Sequence, residues 1–216
     1  MMNIGIILSH KAGEMKKVFS AAAEKGFHYG QLVSWEPTLW TGQEAQNILE
    51  LCSEYEIQLT AFWCGWEGPK KWDFSEGPET LGLVPETYRF SRLHNLMDGA
   101  AFARKLGVRD VVTHMGFLPE NQSDPRYRGV CAAIRTLAVE LKSYGQNLLF
   151  ETGQETPTAL LRIFEEIGTG NLFVNLDPAN LIMYGKANPV DAMDVIGCYV
   201  RGVHAKDGRI RPAVGS

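Results

Sequence analysis

The sequence contains no run of basic residues, no long apolar stretch and no cationic leader. Its 21 Lys and Arg residues stand against 25 Asp and Glu residues, and the net charge of −4 gives no support to a nucleic-acid partner. No apolar run is long enough to span a bilayer, and the opening MMNIGIILSHKAG is typical of a first strand rather than of a signal peptide. These absences predict a protein that binds neither nucleic acid nor a membrane.

Cysteine is scarce as well. Cys52, Cys64, Cys131 and Cys198 are widely scattered and show no paired spacing. Disulfide frameworks and cysteine zinc sites are recognised by such spacing, so we expect reduced and mostly buried thiols in a cytoplasmic protein.

Several catalytic motifs are also missing. The sequence has no GxxxxGK[ST], no HExxH, no GxSxG and no GxGxxG. Phosphate cradling by a glycine-rich loop, zincin chemistry and serine hydrolysis therefore have no support. The chemistry has to be sought in other residues.

What the sequence does contain is a regular alternation of strand-like and helix-like segments. Apolar runs typical of buried parallel strands alternate with amphipathic helical stretches along the chain, which predicts one α/β domain over residues 1–216. The predicted strands are Asn3–Leu8, His28–Val33, Gln58–Cys64, Asp110–His114, Asn147–Glu151, Leu172–Asp177 and Tyr199–His204.

The count of these units is unusual. Seven strand-helix units indicate a (β/α) TIM-type barrel with outer helices, but a closed barrel of this type has eight. The sequence ends soon after the seventh strand. We expect a barrel whose eighth unit is missing, incomplete at its C-terminus. A naturally open barrel is the alternative.

Four of the predicted strands end on a residue able to bind a metal. The segments VVTHMG, LLFETG, FVNLDP and YVRGVHAKDG place His114, Glu151, Asp177 and His204 at successive strand ends. Because the C-terminal ends of barrel strands open on one rim, these side chains are expected to converge there. Two carboxylates and one imidazole from Glu151, Asp177 and His204 suit a divalent ion such as Mn²⁺, Mg²⁺, Co²⁺ or Zn²⁺.

One connection is much longer than the others. It runs from Gly65 to about Pro85, and Trp66 and Trp72 within it argue against disorder. Long connections in compact domains are usually functional or disordered. We interpret the segment as a structured lid over the rim, with a packed surface loop as the alternative.

The motifs LLFETGQETP, NLDPANLIMYGKANPVDAM and VRGVHAKDG closely resemble the xylose-isomerase-like TIM-barrel superfamily of sugar phosphate isomerases and epimerases. The resemblance covers essentially the whole chain. It implies that Glu151, Asp177 and His204 bind a divalent metal. It also implies a fourth ligand, a Glu on the eighth strand, and this sequence ends before that position.

The resemblance further implies a reaction. A small keto-sugar or its phosphate chelates the metal, and two Glu residues move a proton through an enediolate intermediate. Of these two bases only Glu151 is present here. His114, Lys206, Asn180 and Trp66 are predicted to contact substrate. For Lys206 the alternative is a structural salt bridge with a residue such as Asp207.

Other functions stay open at this stage. The same ligands would serve a metal-dependent dehydratase or lyase acting on a keto-sugar or inosose, and a truncated barrel with no catalysis is a further alternative. Endonuclease IV-like DNA repair is disfavoured because Asn180 stands where that enzyme's motif carries a His, and because the chain is acidic. Arg209 and Arg211 either meet an anionic substrate group or belong to a solvated tail. Assembly into a homo-oligomer is left open.

Overall fold

The computed structural model describes residues 3–208, and its centre is a parallel sheet. Seven strands are hydrogen-bonded in the order of the sequence, and every neighbouring pair is parallel. The strands are β1 (Ile6–Ser9), β2 (Tyr29–Ser34), β3 (Gln58–Cys64), β4 (Asp110–Thr113), β5 (Asn147–Glu151), β6 (Leu172–Leu176) and β7 (Val200–Val203).

The strand predictions are confirmed to within a few residues at each end. These strands could be predicted because they are buried. β4, β5 and β6 are packed on both faces, and such strands appear in the sequence as continuous apolar runs. Leu148 and Phe150 belong to the large core between the sheet and the helices. Leu149 belongs to a smaller cluster with Trp63 and Val112 on the opposite face of the sheet.

Helices connect the strands, as the alternating pattern predicts. Several helices begin at a side-chain cap. In the helix after β5, the Thr156 hydroxyl accepts a hydrogen bond from the Ala159 N–H. The same helix is followed by Gly168, whose φ of +62° suits glycine. The helices are α1 (Met15–Glu24), α2 (Gly42–Glu54), α3 (Gly77–Thr80), α4 (Glu86–Lys105), α5 (Pro125–Ser143), α6 (Pro157–Ile167), α7 (Pro178–Met183) and α8 (Pro189–Ile196), with 3-10 turns at Pro37–Leu39 and Gly197–Tyr199.

The sheet is a partial barrel. Within residues 3–208, β1 and β7 form its two edges and do not pair with each other, and an eighth strand-helix unit is not found in that range. The prediction of seven parallel units with outer helices is therefore confirmed. None of the helices in this range is long and apolar enough to cross a membrane.

The long connection after β3 is ordered, and a buried arginine holds it. Arg92 on α4 is fully buried. Its guanidinium donates to the Pro69 carbonyl at 2.7 Å and to the Gly82 carbonyl at 2.9 Å. The same guanidinium lies 5.4 Å from the centre of the Trp66 ring. Because these carbonyls lie towards the two ends of the connection, one side chain fixes both.

Candidate metal centre

Three strand ends bring together the donors of a metal site. Glu151 is the last residue of β5, Asp177 follows β6, and His204 follows β7. The ladder continues past the last two strands, because the His204 N–H donates to the Leu176 carbonyl at 2.8 Å. One donor atom from each of Glu151, Asp177 and His204 lies within 4.8 Å of the others. The structure thus brings the donor atoms of these three residues together.

The Glu151 carboxylate lies at the centre of the group and is almost fully buried. Its Oε1 is 3.2 Å from His204 Nδ1 and 3.4 Å from His114 Nε2, while its Oε2 accepts from the Trp63 indole N–H. Burial by itself would raise the pKa of Glu151. The charge and hydrogen bond of His114, followed by those of His204, outweigh burial and hold the pKa well below its usual range.

Asp177 uses its two oxygens differently. Oδ1 accepts the Asn180 N–H at 2.9 Å and so caps α7, while Oδ2 faces Lys206 Nζ at 3.2 Å and His204 Nδ1 at 3.8 Å. Burial opposes ionisation, but the hydrogen bonds from His204 and Asn180 and the charge of Lys206 lower the pKa of Asp177 overall. The capping function leaves the second oxygen free to face the other donors.

His204 is fixed through both ring nitrogens. Nδ1 faces the two carboxylates, and Nε2 is 2.8 Å from the Gln31 side-chain oxygen on β2. Burial would lower the pKa of His204, yet hydrogen bonds to Asp177 and Glu151 raise it to about 9. Two carboxylates therefore already stabilise a positive charge at this point. A divalent ion would find the same oxygens and, once Nδ1 has lost its proton, an imidazole nitrogen, so the donor set fits a metal.

Three of the predicted substrate-binding residues, Asn180, Lys206 and His114, lie beside the carboxylates of Glu151 and Asp177. Asn180 is buried beside the carboxylates, donating to the Thr152 carbonyl at 3.1 Å, and Lys206 Nζ donates to Asn180 Oδ1 at 2.8 Å. The salt bridge of Lys206 is therefore with Asp177 rather than with Asp207. His114 is buried at the end of β4 against Glu151.

Trp66 requires a correction. It is fully buried (0% exposed) and packs against Trp35 and Trp63 in the smaller core cluster. It does not line the cavity, whereas Trp72 from the same connection does. The buried guanidinium of Arg92 packs 5.4 Å from the centre of the Trp66 ring, so the ring faces the core rather than the cavity. Arg209 and Arg211 lie outside the described residues.

The converging side chains line one end of a large cavity, which also reaches the N-terminal ends of β1 and β4 at Ile6 and Asp110. Its volume is about 1410 Å³. Part of its lining comes from Ile4 and Ile7 near β1 and from Val203 on β7, so the cavity extends between the two sheet edges. Such a cavity is large enough for a small organic substrate.

Trp63, Gln31 and Gln154 are among the polar and aromatic residues of this cavity that sequence reasoning missed. Trp63 donates to Glu151, Gln31 bonds His204, and Gln154 lies in the loop after β5. A signal was present for Gln31, which is a polar residue in the middle of the strand YGQLVS. For Trp63 the sequence offers no signal, because an indole inside a buried strand looks like an ordinary core residue.

Comparisons with known proteins agree with the fold. Residues 19–215 match a family model described as xylose isomerase-like TIM barrel. The crystal structure of a xylose isomerase domain protein from Planctomyces limnophilus is 31% identical, with a TM-score of 0.86 over 94% of this chain and 73% of that chain. A search of curated proteins found no match.

Two sugar epimerases are similar in fold. An L-ribulose 3-epimerase is 18% identical, with a TM-score of 0.72 over 97% of this chain and 74% of that one. The 3-keto-D-glucoside 4-epimerase from E. coli is 14% identical, with a TM-score of 0.71 over 99% of this chain and 83% of that one. At this level of identity the likeness concerns the fold alone.

Proposed function

Because the chain belongs to the xylose isomerase-like TIM barrel family, we propose that it is a divalent-metal-dependent isomerase or epimerase of a small keto-sugar. The observation that carries the proposal is the convergence of Glu151, Asp177 and His204 within 4.8 Å, at the cavity formed by the strand ends. This is the face on which TIM-barrel enzymes carry their active sites. The two epimerases of similar fold act on keto-sugars by their names.

The metal would be held by the carboxylates of Glu151 and Asp177 and by the imidazole of His204. Mn²⁺, Mg²⁺, Co²⁺ and Zn²⁺ all accept such a mixed set of oxygen and nitrogen donors. When bound, the ion would stabilise the negative charge that develops on substrate oxygens as a neighbouring C–H bond loses its proton.

Glu151 is the base in this proposal. The contacts with His114 and His204 keep its carboxylate ionised at neutral pH, so it is ready to accept a proton. A carboxylate with a lowered pKa is a weak base, however, and the substrate C–H must be made more acidic for the transfer to occur. A bound divalent ion would supply that acidity.

The remaining polar residues would orient the substrate. Lys206 and Asn180 form a hydrogen-bonded pair beside Asp177, and His114 lies on the other side of Glu151. Donors at these places can meet the hydroxyl and carbonyl oxygens of a keto-sugar as charge develops on them.

Isotope exchange tests the proposal. The protein is incubated with Mn²⁺ and a panel of keto-sugars in D₂O, and mass spectrometry follows deuterium uptake next to the carbonyl. We expect metal-dependent uptake with at least one keto-sugar and none with Glu151→Gln, which keeps the shape of the side chain and removes its basicity. Loss of water from the substrate would redirect the assignment to a dehydratase. No uptake with any keto-sugar, beside an active control enzyme, would count against the proposal.

A further inference from the structure

Gln31 is a polar side chain on the inner face of the sheet. Its neighbour Leu32 is buried in the large core between the sheet and the helices, so Gln31 points the other way and lines the cavity. Barrels of this type normally fill their inner face with branched apolar side chains. A residue that departs from such a pattern is expected at a position where function requires it.

The pairing of β2 with β3 is irregular at Gln31. Gly30 pairs with Leu59 on β3. Gln31 pairs with Ala61, so Thr60 is an extra residue between the two pairs. The Thr60 hydroxyl donates to the Gly30 carbonyl at 3.2 Å. Such bulges change the direction of nearby side chains and are frequent beside active sites.

A second irregularity lies on β7, just before His204. Val200 pairs with β6, Arg201 is an extra residue, and the pairing resumes at Gly202. A Cβ atom at Gly202 would lie too close to the neighbouring side chain on β6, so glycine allows the strand to pass there. His204 follows two residues later. The strands that carry Gln31 and His204 are thus both irregular near these two residues.

A hydrogen bond across the cavity joins these two segments. Gln31 Oε1 lies 2.8 Å from His204 Nε2. An amide oxygen can only accept, so His204 donates through a proton on Nε2. His204 Nδ1 then faces Glu151 Oε1 at 3.2 Å and Asp177 Oδ2 at 3.8 Å. The contact with Gln31 therefore decides which ring nitrogen is presented to the two carboxylates.

We propose that Gln31 is a positioning residue for the metal, which holds the Nε2 proton of His204 and so presents Nδ1 as the ligand atom. The inference rests on the proposed function, because the ion belongs to the same site. A histidine that binds a metal usually donates its other ring N–H to an acceptor, which fixes the ring and strengthens it as a ligand. The Gln31 amide supplies that acceptor without adding a third negative charge to those of Glu151 and Asp177.

Three variants test the hydrogen bond through the affinity for Mn²⁺, measured by the electron paramagnetic resonance of the free ion. Gln31→Met has nearly the same length but no acceptor, and we expect it to bind Mn²⁺ about 10- to 100-fold more weakly. Gln31→Glu keeps an acceptor and should recover most of the lost affinity. Gln58→Met, at the exposed start of β3, is the matched control and should bind like the wild type. A thermal melt checks that each variant is folded.

Nuclear magnetic resonance of the Zn²⁺-loaded protein identifies the ring nitrogen that carries the proton. Two-bond ¹H–¹⁵N spectra distinguish a proton on Nε2 from one on Nδ1, and the His204 signals are assigned through its backbone. We expect a proton on Nε2 of His204 that exchanges slowly with water in the wild type and rapidly in Gln31→Met. If Gln31→Met does not fold, the position of the proton in the wild type still decides.

The inference is overturned if folded Gln31→Met binds Mn²⁺ as tightly as the wild type, or if folded Gln31→Glu binds as weakly as Gln31→Met. It is also overturned if Nδ1 of His204 carries the proton in the Zn²⁺-loaded protein. The proposed function can fail separately. The expected affinities without deuterium exchange in any keto-sugar would reject the isomerase or epimerase and retain the role of Gln31. Exchange in the wild type with unchanged Mn²⁺ affinity in Gln31→Met would do the reverse.

Discussion

Glu155 is a buried carboxyl group whose raised pKa predicts how the unfolding free energy changes with pH. The residue lies in the loop after β5, four positions beyond Glu151, and is 3% exposed. Its Oε1 has no hydrogen-bond partner within residues 3–208. Burial raises the pKa of Glu155 to about 7, although His114, nearby backbone N–H groups and Lys186 oppose the rise. The folded protein therefore binds this proton more tightly than the unfolded chain does.

The size of the effect follows from the two pKa values. The unfolded carboxyl titrates near its ordinary value of 4.5 and the folded one near 7. A difference of roughly 2.5 corresponds to about 3 kcal/mol of unfolding free energy. The sign is fixed because ionisation is harder in the folded state. The contribution of Glu155 to the unfolding free energy is fully present below about pH 4.5 and is lost as the pH rises towards 7. Above about pH 7 the ionisation of Glu155 changes the unfolding free energy little further.

Glu155→Gln removes the titration while keeping nearly the same shape. Near pH 5 the variant and the wild type should have similar unfolding free energies, whereas at pH 8 the variant should be more stable by about 3 kcal/mol, or about 6–12 °C in Tm for a chain of this size. Urea titrations at several pH values measure the difference. Glu165→Gln, on the exposed face of α6, is the control and should show no such trend. A difference between Glu155→Gln and wild type that stays constant from pH 5 to pH 8 would refute the reasoning.

Three further substitutions test the surroundings of the site. Trp66→Ala should lower the unfolding free energy by about 3–5 kcal/mol, since the side chain is fully buried; an unchanged melt would contradict its place in the core. Trp63→Phe keeps an aromatic ring, although a smaller one, and removes the N–H donated to Glu151. We expect the exchange rate to fall about 10- to 100-fold in a variant that a thermal melt shows to be folded, and an unaltered rate would deny Trp63 an orienting role. Arg92→Met leaves the carbonyls of Pro69 and Gly82 without their donor. The variant should therefore be cleaved faster by trypsin at Lys70. Equal cleavage of variant and wild type would show that other contacts hold the connection.

The strands and the metal donors could be predicted for the same physical reason. Parallel strands buried on both faces leave continuous apolar runs in the sequence, and the residue that ends such a run lies at the rim of the sheet. Glu151, Asp177 and His204 were found in this way, and the described structure brings them together. Whether they hold a metal remains a prediction.

The environment of each residue could not be predicted in the same way. Trp66 and Trp72 lie six positions apart in one connection, yet one is buried in the core and the other lines the cavity. The buried Trp66 packs against Arg92, which comes from another element and which the sequence of the connection does not reveal. The contact between Trp63 and Glu151 joins β3 to β5 across β4. Glu155 reads as a polar loop residue, and nothing in its sequence neighbours indicates complete burial.

The central claim is that Glu151, Asp177 and His204 together hold one divalent ion. Titration with Mn²⁺, followed by the electron paramagnetic resonance of the free ion, tests it without any assumption about substrate. The account predicts one Mn²⁺ per chain, and at least tenfold weaker binding in Asp177→Asn, with Asp191→Asn on the exposed start of α8 as the unaffected control. Absence of binding, or equal affinity in wild type and Asp177→Asn, would contradict it.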